Sequence, residues 1–256
     1  MIRVERAEDG VAVVIIDNPD ARNAMTFAMW DALREHARVL DADPAVGVVV
    51  FTGAGPAAFV SGTAISEFRG FGAEDGIAYE QRMDAVMDAL EAIRVPTIAA
   101  IAGACTGGGV AIASTCDLRI GADGARIGVP IARTLGNCLA MGNVARVADI
   151  IGADATKALI LTGRMLSAPD ALRAGFLTEV VASYEELMPR ALAQARELLA
   201  LAPLTLRATK EGIRRLRASR TLPPGDDLVR ACYGSDDFRE GVDAFLAKRA
   251  PRWQGR

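Results

Sequence analysis

The sequence predicts an α/β protein, and two alternating patterns support that prediction. Short, uniformly apolar segments such as residues 46–52 have the length and β-branched content of buried strands. Longer segments such as residues 26–40 instead repeat apolar side chains at helical spacing. The two patterns alternate as far as residue 181, which is typical of parallel sheets covered by helices.

The N-terminal segment predicts a β-hairpin. Residues 2–6 alternate between apolar and polar side chains, and residues 11–16 are continuously apolar. Asp9 and Gly10 lie between them, and this dipeptide favours a two-residue turn. A helix is expected after the next loop, because Thr26 carries the hydroxyl group that caps a helix N-terminus.

The elements that follow continue the alternation. After the first helix at residues 26–40, the periodicity predicts helices at residues 77–93, 110–115, 143–151, 155–161 and 168–174. Strands are predicted at residues 46–52, 96–101, 118–121 and 177–181. An irregular segment is expected from the strand at 118–121 to residue 137.

From residue 184 onward the pattern is helical only. Prolines interrupt it at Pro203 and in the Pro-Pro-Gly segment at residues 223–225. We therefore predict two regions, a core of residues 1–202 and a C-terminal helical region of residues 203–256.

The composition predicts a folded, cytoplasmic protein without disulfides. Of its 256 residues, 51% are hydrophobic, which is enough for a large core. Its four cysteines show neither a CxxC pair nor metal-ligand spacing, so we expect no metal site and a reducing compartment. Charged residues near the N-terminus argue against a signal peptide, and no apolar run is long enough to span a bilayer.

The charge balance argues against a nucleic-acid partner. The net charge of -3 and the pI near 5.4 provide no global attraction for a polyanion. A local basic helix is predicted at residues 210–220, and we expect it to present a solvated face.

Two glycine-bearing turns are the most informative feature of the chain. Residues 59–63 read FVSGT and residues 103–109 read GACTGGG, and each segment follows a strand pattern and leads toward a helix. Paired turns of this kind predict two backbone N–H donors for an oxygen anion, where one donor can contribute roughly 2.7 to 4 kcal/mol. A tight turn needed only for packing is the alternative. Phosphate-loop and dinucleotide motifs are excluded by the glycine spacing and by the missing Gly-Lys-Ser/Thr.

Several segments together resemble the crotonase superfamily, also called the enoyl-CoA hydratase/isomerase family. The segments are residues 18–25 (NPDARNAM), 59–65, 98–117 and 236–249, in the order in which that family has them. The resemblance implies the crotonase (ClpP/crotonase-like) fold, a spiral of ββα units with a helical C-terminal trimerisation region. It also implies a homotrimer or a dimer of trimers.

The same resemblance assigns roles to individual residues. The oxyanion donors are the backbone N–H groups of Thr63 and Gly108. Coenzyme A, as part of the substrate, meets five residues, and no other cofactor and no metal are implied. These five are Arg22, Ala24, Ser61, Ile65 and Lys248, of which Arg22 and Lys248 would meet the phosphates.

The chain departs from the resemblance at two catalytic positions. Hydratases of the family use two glutamates, and here those positions carry Ala111 and Ile131. Neither side chain transfers protons, and each proton-transfer step contributes typically ~10² to 10⁴ in rate. We therefore expect little hydratase activity, and Ile131 also argues against the isomerase reaction.

Polar residues elsewhere offer substitutes, each with a simpler alternative. Arg133 would clamp a second substrate carboxylate or form a salt bridge at a subunit contact. Asn137 would donate a hydrogen bond to substrate or cap a loop. Cys138 would be a nucleophile if its pKa were lowered, although we favour a buried apolar thiol. Glu80 and Asp84 would act as acids or bases, although we favour simple solvation on their helix.

Three functions follow. The first is an acyl-CoA enzyme that stabilises an enolate or oxyanion without the hydratase glutamates, for example a decarboxylase of malonyl-type substrates or another lyase. The second is an enoyl-CoA hydratase or isomerase with proton transfer rebuilt from Glu80, Asp84 or water. The third is a protein that binds acyl-CoA without catalysis.

Overall fold

The computed structural model describes residues 1–7, 9–219 and 223–256. The strands are β1 (Ile2–Arg6), β2 (Val11–Ile16), β3 (Val48–Gly53), β4 (Ala58–Val60), β5 (Thr97–Ile101), β6 (Ala104–Thr106), β7 (Leu118–Ala122), β8 (Arg126–Gly128), β9 (Leu166–Ser167) and β10 (Glu179–Val181). The helices are α1 (Phe27–Ala42), α2 (Ala73–Glu91), α3 (Gly108–Thr115), α4 (Ile131–Thr134), α5 (Met141–Ile151), α6 (Ala153–Thr162), α7 (Ala168–Arg173), α8 (Tyr184–Leu199), α9 (Pro203–Ala218), α10 (Asp226–Tyr233) and α11 (Asp236–Leu246). Two 3-10 turns lie at Pro19–Ala21 and Ile65–Phe68.

A six-stranded sheet forms one layer, in the order β1-β2-β3-β5-β7-β10. The predicted hairpin is confirmed, since β1 pairs antiparallel with β2 and Ile2 faces Ile16. Every other pairing in this sheet is parallel. The predicted strands therefore lie side by side, and helices make the connections that parallel strands require.

Helices cover both faces of this sheet, which explains why its strands are uniformly apolar. Val48 and Val50 join a buried cluster with Leu187 of α8, whereas Val49 and Phe51 join the main core on the opposite face. Successive side chains of a strand point to opposite faces, so both sets must be apolar when both faces are covered.

A second sheet of four short strands, in the order β4-β6-β8-β9, was not predicted. Its strands have only two or three residues, too few to show a period-two pattern. The expectation of an irregular segment up to residue 137 was wrong, because β8 and α4 lie within it. The sheet matters for the site, since β4 and β6 each end within one of the two glycine-bearing segments.

The C-terminal helices do not form an isolated layer. α10 and α11 pack onto α2 and the second 3-10 turn through a cluster that contains Phe68, Tyr233 and Phe238. α9 begins at Pro203, and none of its residues is buried. No helix in the described part of the chain is long and apolar enough to cross a membrane.

The predicted basic helix corresponds to α9, and its expected solvation is wrong at Lys210. The Lys210 ammonium donates to the backbone oxygen of Val95 at 3.0 Å and to the Asp117 carboxylate at 2.7 Å. Only 12% of its side chain is exposed. The last predicted residue, Arg220, lies outside the described residues.

Candidate active site

The two glycine turns lie against each other. The Thr106 hydroxyl donates to the backbone oxygen of Ser61 at 2.8 Å, which ties the second turn to the first. Gly62 has φ of 106°, a conformation that suits glycine, and a Cβ built there would lie 3.8 Å from the Gly108 nitrogen. The sequence therefore brings Thr63 and Gly108 to one location from positions 45 residues apart.

A bridge to the first loop holds Thr63 in place. The Met25 N–H donates to the Gly62 oxygen, and the Ala64 N–H donates to the Met25 oxygen, both at 2.8 Å. These bonds satisfy the groups on either side of Thr63. Within residues 1–7, 9–219 and 223–256, neither the Thr63 N–H nor the Gly108 N–H donates to an acceptor.

The Gly108 N–H also belongs to the first turn of α3, where helix geometry leaves amides without partners and the dipole favours negative charge. Glycine is required next to it, because a Cβ on Gly109 would lie 2.2 Å from the Val60 oxygen. This close approach seats the start of α3 directly on β4. The helix end therefore meets the turn that carries Thr63.

Two aromatic residues fix the Thr63 side chain. Its Oγ1 accepts a hydrogen bond from the Trp30 indole at 3.0 Å and lies 2.8 Å from the Tyr79 hydroxyl. Burial raises the pKa of Tyr79, so its hydroxyl keeps its proton. Sequence reasoning missed Trp30, because nothing local to residue 30 indicates a contact with residue 63.

The positions that follow on α3 and α4 are apolar. Ala111 lies one turn after Gly108 and is 6% exposed, and Ile131 opens α4 and is 8% exposed. Both belong to the main hydrophobic cluster. At these two points no side chain can accept or release a proton.

Four of the five residues expected to meet coenzyme A surround the Met25–Thr63 bridge. Arg22 and Ala24 lie in the first loop, Ser61 in the first turn, and Ile65 begins the 3-10 turn that follows. The Ser61 hydroxyl lies 3.5 Å from the Ala21 oxygen, which joins loop and turn.

The first loop and the fifth expected residue share an uncommon backbone conformation. Buried Asn23 fixes the loop by donating to the backbone oxygens of Ala54 and Ala58 at 3.0 and 2.7 Å. Exposed Arg22 has φ of 52°, and Lys248, exposed two residues beyond α11, has φ of 53°. Both cations therefore lie on backbone in the left-handed region.

Glu80 is buried, so the expectation that it is simply solvated is wrong. It is 6% exposed, its Oε1 accepts from the Tyr233 hydroxyl at 2.7 Å, and its Oε2 accepts from the Ala140 N–H at 3.2 Å. Burial raises the pKa of Glu80 to about 7, against the lowering effect of these two hydrogen bonds. The carboxyl group is therefore poised to gain or lose a proton near neutrality.

Asn137 and Tyr233 complete this polar group. The Asn137 amide donates to the Tyr233 hydroxyl at 3.1 Å. The Tyr233 ring packs between Phe238, at 4.7 Å between centroids, and Tyr79, at 6.2 Å. Tyr79 in turn contacts Thr63, so one continuous set of contacts joins Glu80 to the first glycine turn.

Comparison with known proteins decides the family. The model of the enoyl-CoA hydratase/isomerase family matches residues 6–256. The chain belongs to this family. A probable enoyl-CoA hydratase of Mycobacterium leprae is 35% identical over 250 residues, covering 96% of this chain and 95% of that protein. The short-chain-enoyl-CoA hydratase of Clostridium acetobutylicum is 33% identical, over 94% and 93% of the two chains.

Solved structures confirm the predicted crotonase fold. An enoyl-CoA hydratase/carnithine racemase from Magnetospirillum magneticum superposes with a TM-score of 0.81 at 32% identity, covering 100% of this chain and 96% of that one. A methylmalonyl-CoA decarboxylase in complex with 2-nitronate-propionyl-CoA superposes with a TM-score of 0.90 at 26% identity, covering 100% and 98%. The protein is thus an acyl-CoA-acting member of the enoyl-CoA hydratase/isomerase family.

Two other expected site residues of this family member lie in less favourable settings. Arg133 is exposed, and a Cβ on Gly163 at the end of α6 would lie 3.3 Å from its Cβ, so its side chain begins beside α6. Cys138 is half-buried, with its Sγ 3.6 Å from the Leu228 oxygen. Burial raises the pKa of Cys138, the opposite of what a nucleophile needs.

Two cavities lie next to the helices described above. One of about 340 Å³ lies between α2, α5 and α10, and Glu80 is part of its lining. Another of about 670 Å³ lies under α9 and is lined by Ser114, Thr115 and Lys210. The second is at the C-terminal end of α3, the end opposite Gly108, so we separate it from the candidate active site.

Proposed function

We propose that the protein stabilises the enolate of an acyl-CoA thioester and decarboxylates malonyl-type acyl-CoA substrates. The observation that carries this proposal is the combination of two unused backbone donors, at Thr63 and Gly108, with apolar side chains at Ala111 and Ile131. The donors suit a developing oxyanion. The apolar positions suit a reaction that needs no base to remove a carbon-bound proton.

In the proposed reaction the thioester oxygen accepts hydrogen bonds from both N–H groups. The bond between the α-carbon and the substrate carboxylate breaks, carbon dioxide leaves, and the electron pair forms the enolate. Negative charge then develops on the oxygen that the donors contact, and each donor contributes roughly 2.7 to 4 kcal/mol. A proton added to the α-carbon completes the reaction.

Structural similarity supports the choice of reaction. The methylmalonyl-CoA decarboxylase superposes with the TM-score of 0.90, although its identity of 26% is below the 32% of the Magnetospirillum protein, whose TM-score is 0.81. By contrast, the relatives that are 33–35% identical are named as hydratases, which favours hydration as the reaction. Loss of both glutamates would lower hydration by ~10² to 10⁴ for each proton-transfer step.

The substrate's coenzyme A would extend across the first loop. Arg22 and Lys248 would meet its phosphates, with Ala24, Ser61 and Ile65 beside the pantetheine arm. Arg22 and Lys248 are exposed and pair with no carboxylate among the described residues, which leaves their charge available.

The assembly proposed for the protein is a homotrimer or a dimer of trimers. α9 exposes three large apolar side chains, Leu204 at 76%, Ile213 at 60% and Leu216 at 64%. An apolar surface of this kind on a helix without buried residues is typical of a protein contact. The four free cysteines fit the proposed cytoplasmic location.

A second candidate function rests on Glu80. A buried carboxyl group with a pKa near 7 can act as acid and base, so it would serve an enoyl-CoA hydratase or isomerase with relocated proton transfer. This candidate predicts addition of water to crotonyl-CoA. The proposed decarboxylase does not.

One experiment separates these candidates. The purified protein is incubated with methylmalonyl-CoA, malonyl-CoA or crotonyl-CoA, with products followed by mass spectrometry and coenzyme A binding measured in parallel. We expect carbon dioxide release from a malonyl-type substrate and little hydration. Fast hydration without carbon dioxide release would establish the second candidate, and tight binding without any turnover would establish a non-catalytic acyl-CoA-binding protein.

A further inference from the structure

Two of the four cysteines come together from segments that are far apart in the sequence. Cys138 lies between α4 and α5, and Cys232 lies near the end of α10. Both side chains are partly buried, and both pack against the cluster that contains Phe68, Tyr233 and Phe238. The fold therefore places a pair of thiols at one location.

The contact between Cys138 and α10 defines where the sulfur of Cys138 lies. Its Sγ is 3.6 Å from the backbone oxygen of Leu228, which is one helical turn before Cys232. In an α-helix that oxygen accepts from the N–H group four residues later, which is the N–H of Cys232. Helical side chains also lean toward the N-terminus, so the Cys232 side chain leans toward the turn that Cys138 contacts. Both thiols therefore lie over the same turn of α10.

The residues next to the two cysteines hold this arrangement in place. The Asn137 amide donates to the Tyr233 hydroxyl at 3.1 Å, and these residues lie one position before Cys138 and one position after Cys232. Burial raises the pKa of the Cys138 thiol, and the Cys232 thiol raises it further. A charge shifts the pKa of another group in this way only when the two groups lie close together.

We propose that Cys138 and Cys232 are a site of reversible oxidation, at which a hydroperoxide converts the two thiols into an intrachain disulfide. This oxidation is independent of which acyl-CoA reaction the protein catalyses. The other two cysteines, Cys105 and Cys116, are 0% and 4% exposed, so they are shielded from an oxidant in solution. In a reducing compartment such a disulfide forms only under oxidant and is removed again by thiols.

The oxidation balances in two steps. The Cys232 thiolate attacks one oxygen of the hydroperoxide and the O–O bond breaks, which gives a Cys232 sulfenic acid and water or an alcohol. The Cys138 sulfur then attacks the sulfenic sulfur, the S–O bond breaks, and the leaving hydroxide takes the Cys138 proton to form water. Cys138 reacts second because burial raises its pKa and so lowers its thiolate fraction. The two thiols lose two electrons, and the hydroperoxide gains them.

The disulfide joins two walls of the cavity of about 340 Å³. Residues 140–142, which follow Cys138, line one wall, and Val229, three residues before Cys232, lines another. Glu80 of α2 belongs to the third wall. A covalent link between the first two walls fixes the distance between them. Oxidation therefore holds α10 in place over the buried Glu80 carboxyl group.

Peptide mapping of the wild type tests the disulfide. The folded protein is treated with hydrogen peroxide, alkylated in denaturant without reductant, digested with trypsin and analysed by mass spectrometry. We expect residues 134–146 to be linked to residues 231–239, and dithiothreitol to remove the link. Residues 95–119 form one tryptic peptide that contains both Cys105 and Cys116. Those two thiols should be alkylated in full, which provides the internal control.

Thermal unfolding tests whether the fold itself brings the two sulfur atoms together. A disulfide that fits the folded structure constrains only the unfolded chain, so the oxidised wild type should melt at least about 5 °C above the reduced protein. Cys138→Ser and Cys232→Ser should show neither the linked peptides nor this rise. Alkylation of both cysteines after peroxide treatment of the wild type would overturn the proposal. Linked peptides without a higher melting temperature would also overturn it, because the sulfur atoms would then meet only by distorting the fold.

Discussion

The Tyr79 hydroxyl lies 2.8 Å from Thr63 Oγ1, so α2 directly supports the turn that carries one of the two unused N–H donors. Thr63 Oγ1 also accepts from the Trp30 indole, which links α1 to the same atom. Two helices therefore set the orientation of one peptide unit. A donor held in this way is oriented before substrate arrives, which is the property that makes an oxyanion site effective.

Removing the Tyr79 hydroxyl should weaken catalysis without affecting coenzyme A binding. Tyr79→Phe deletes one partly buried hydrogen bond, for which a loss of about 1 kcal/mol is typical, so we predict a roughly five-fold lower kcat. KM should be unchanged because Tyr79 is not among the residues proposed to contact coenzyme A. Steady-state kinetics with methylmalonyl-CoA provide the measurement, with Tyr184→Phe as the control. A raised KM at constant kcat would contradict the positioning role.

Restoring two carboxyl groups should create hydratase activity. Ala111→Glu combined with Ile131→Glu places proton-transfer groups at the two positions proposed to correspond to the hydratase glutamates, so we predict that crotonyl-CoA hydration rises by at least about 10²-fold. The control is the double variant with glutamine at both positions, which has the same size but no titrating group. Equal activity in the two double variants would show that the absence of carboxyl groups at these two positions does not limit hydration.

The proposed phosphate contacts should act on binding and not on chemistry. Arg22→Ala and Lys248→Ala each remove an exposed cation, so we predict a several-fold higher KM for acyl-CoA, a difference that shrinks as salt increases. An acyl-pantetheine without phosphates should show no change. Arg38→Ala, an exposed site on α1, is the control. If the acyl-pantetheine KM rose equally, the two residues would not be reading phosphates.

The sequence could predict the glycine turns, because a close backbone approach requires glycine wherever it occurs. Gly109 illustrates this, since any Cβ there meets the Val60 oxygen at 2.2 Å. The hydrogen bond between Tyr233 and Glu80 could not be predicted, because the two residues are 153 positions apart and meet only when α10 folds back onto α2. The short strands were also out of reach, because their pairing and not their composition defines them. The order of the long helices and strands could be predicted, because each shows its own hydrophobic periodicity in the sequence.

Burial of Glu80 should make stability depend on pH in a defined direction. Its folded pKa of about 7 lies above the ordinary 4.5, so between these values the folded protein holds a proton that the unfolded chain has released. The contribution of Glu80 to the unfolding free energy should therefore be largest below pH 4.5 and fall as pH rises through 7, by up to about 3 kcal/mol. The unfolding free energies of the wild type and of Glu80→Gln are measured with urea over a range of pH. The difference between them should change with pH only between about 4.5 and 7. A constant difference would show that Glu80 is ordinarily ionised.

The exposed apolar residues of α9 should hold the proposed oligomer together. Ile213 is 60% exposed and Leu216 is 64% exposed, and a charge at either position would be buried without a partner in a subunit contact. We predict that Ile213→Glu and Leu216→Glu shift the protein from trimers or hexamers to monomers in analytical ultracentrifugation. Arg215→Glu is the control for added negative charge. Arg215 lies between these two positions, and its side chain is 76% exposed. Because the monomer already contains both glycine turns, circular dichroism should remain unchanged in these variants. Retention of the wild-type mass by both would place the subunit contact elsewhere than α9.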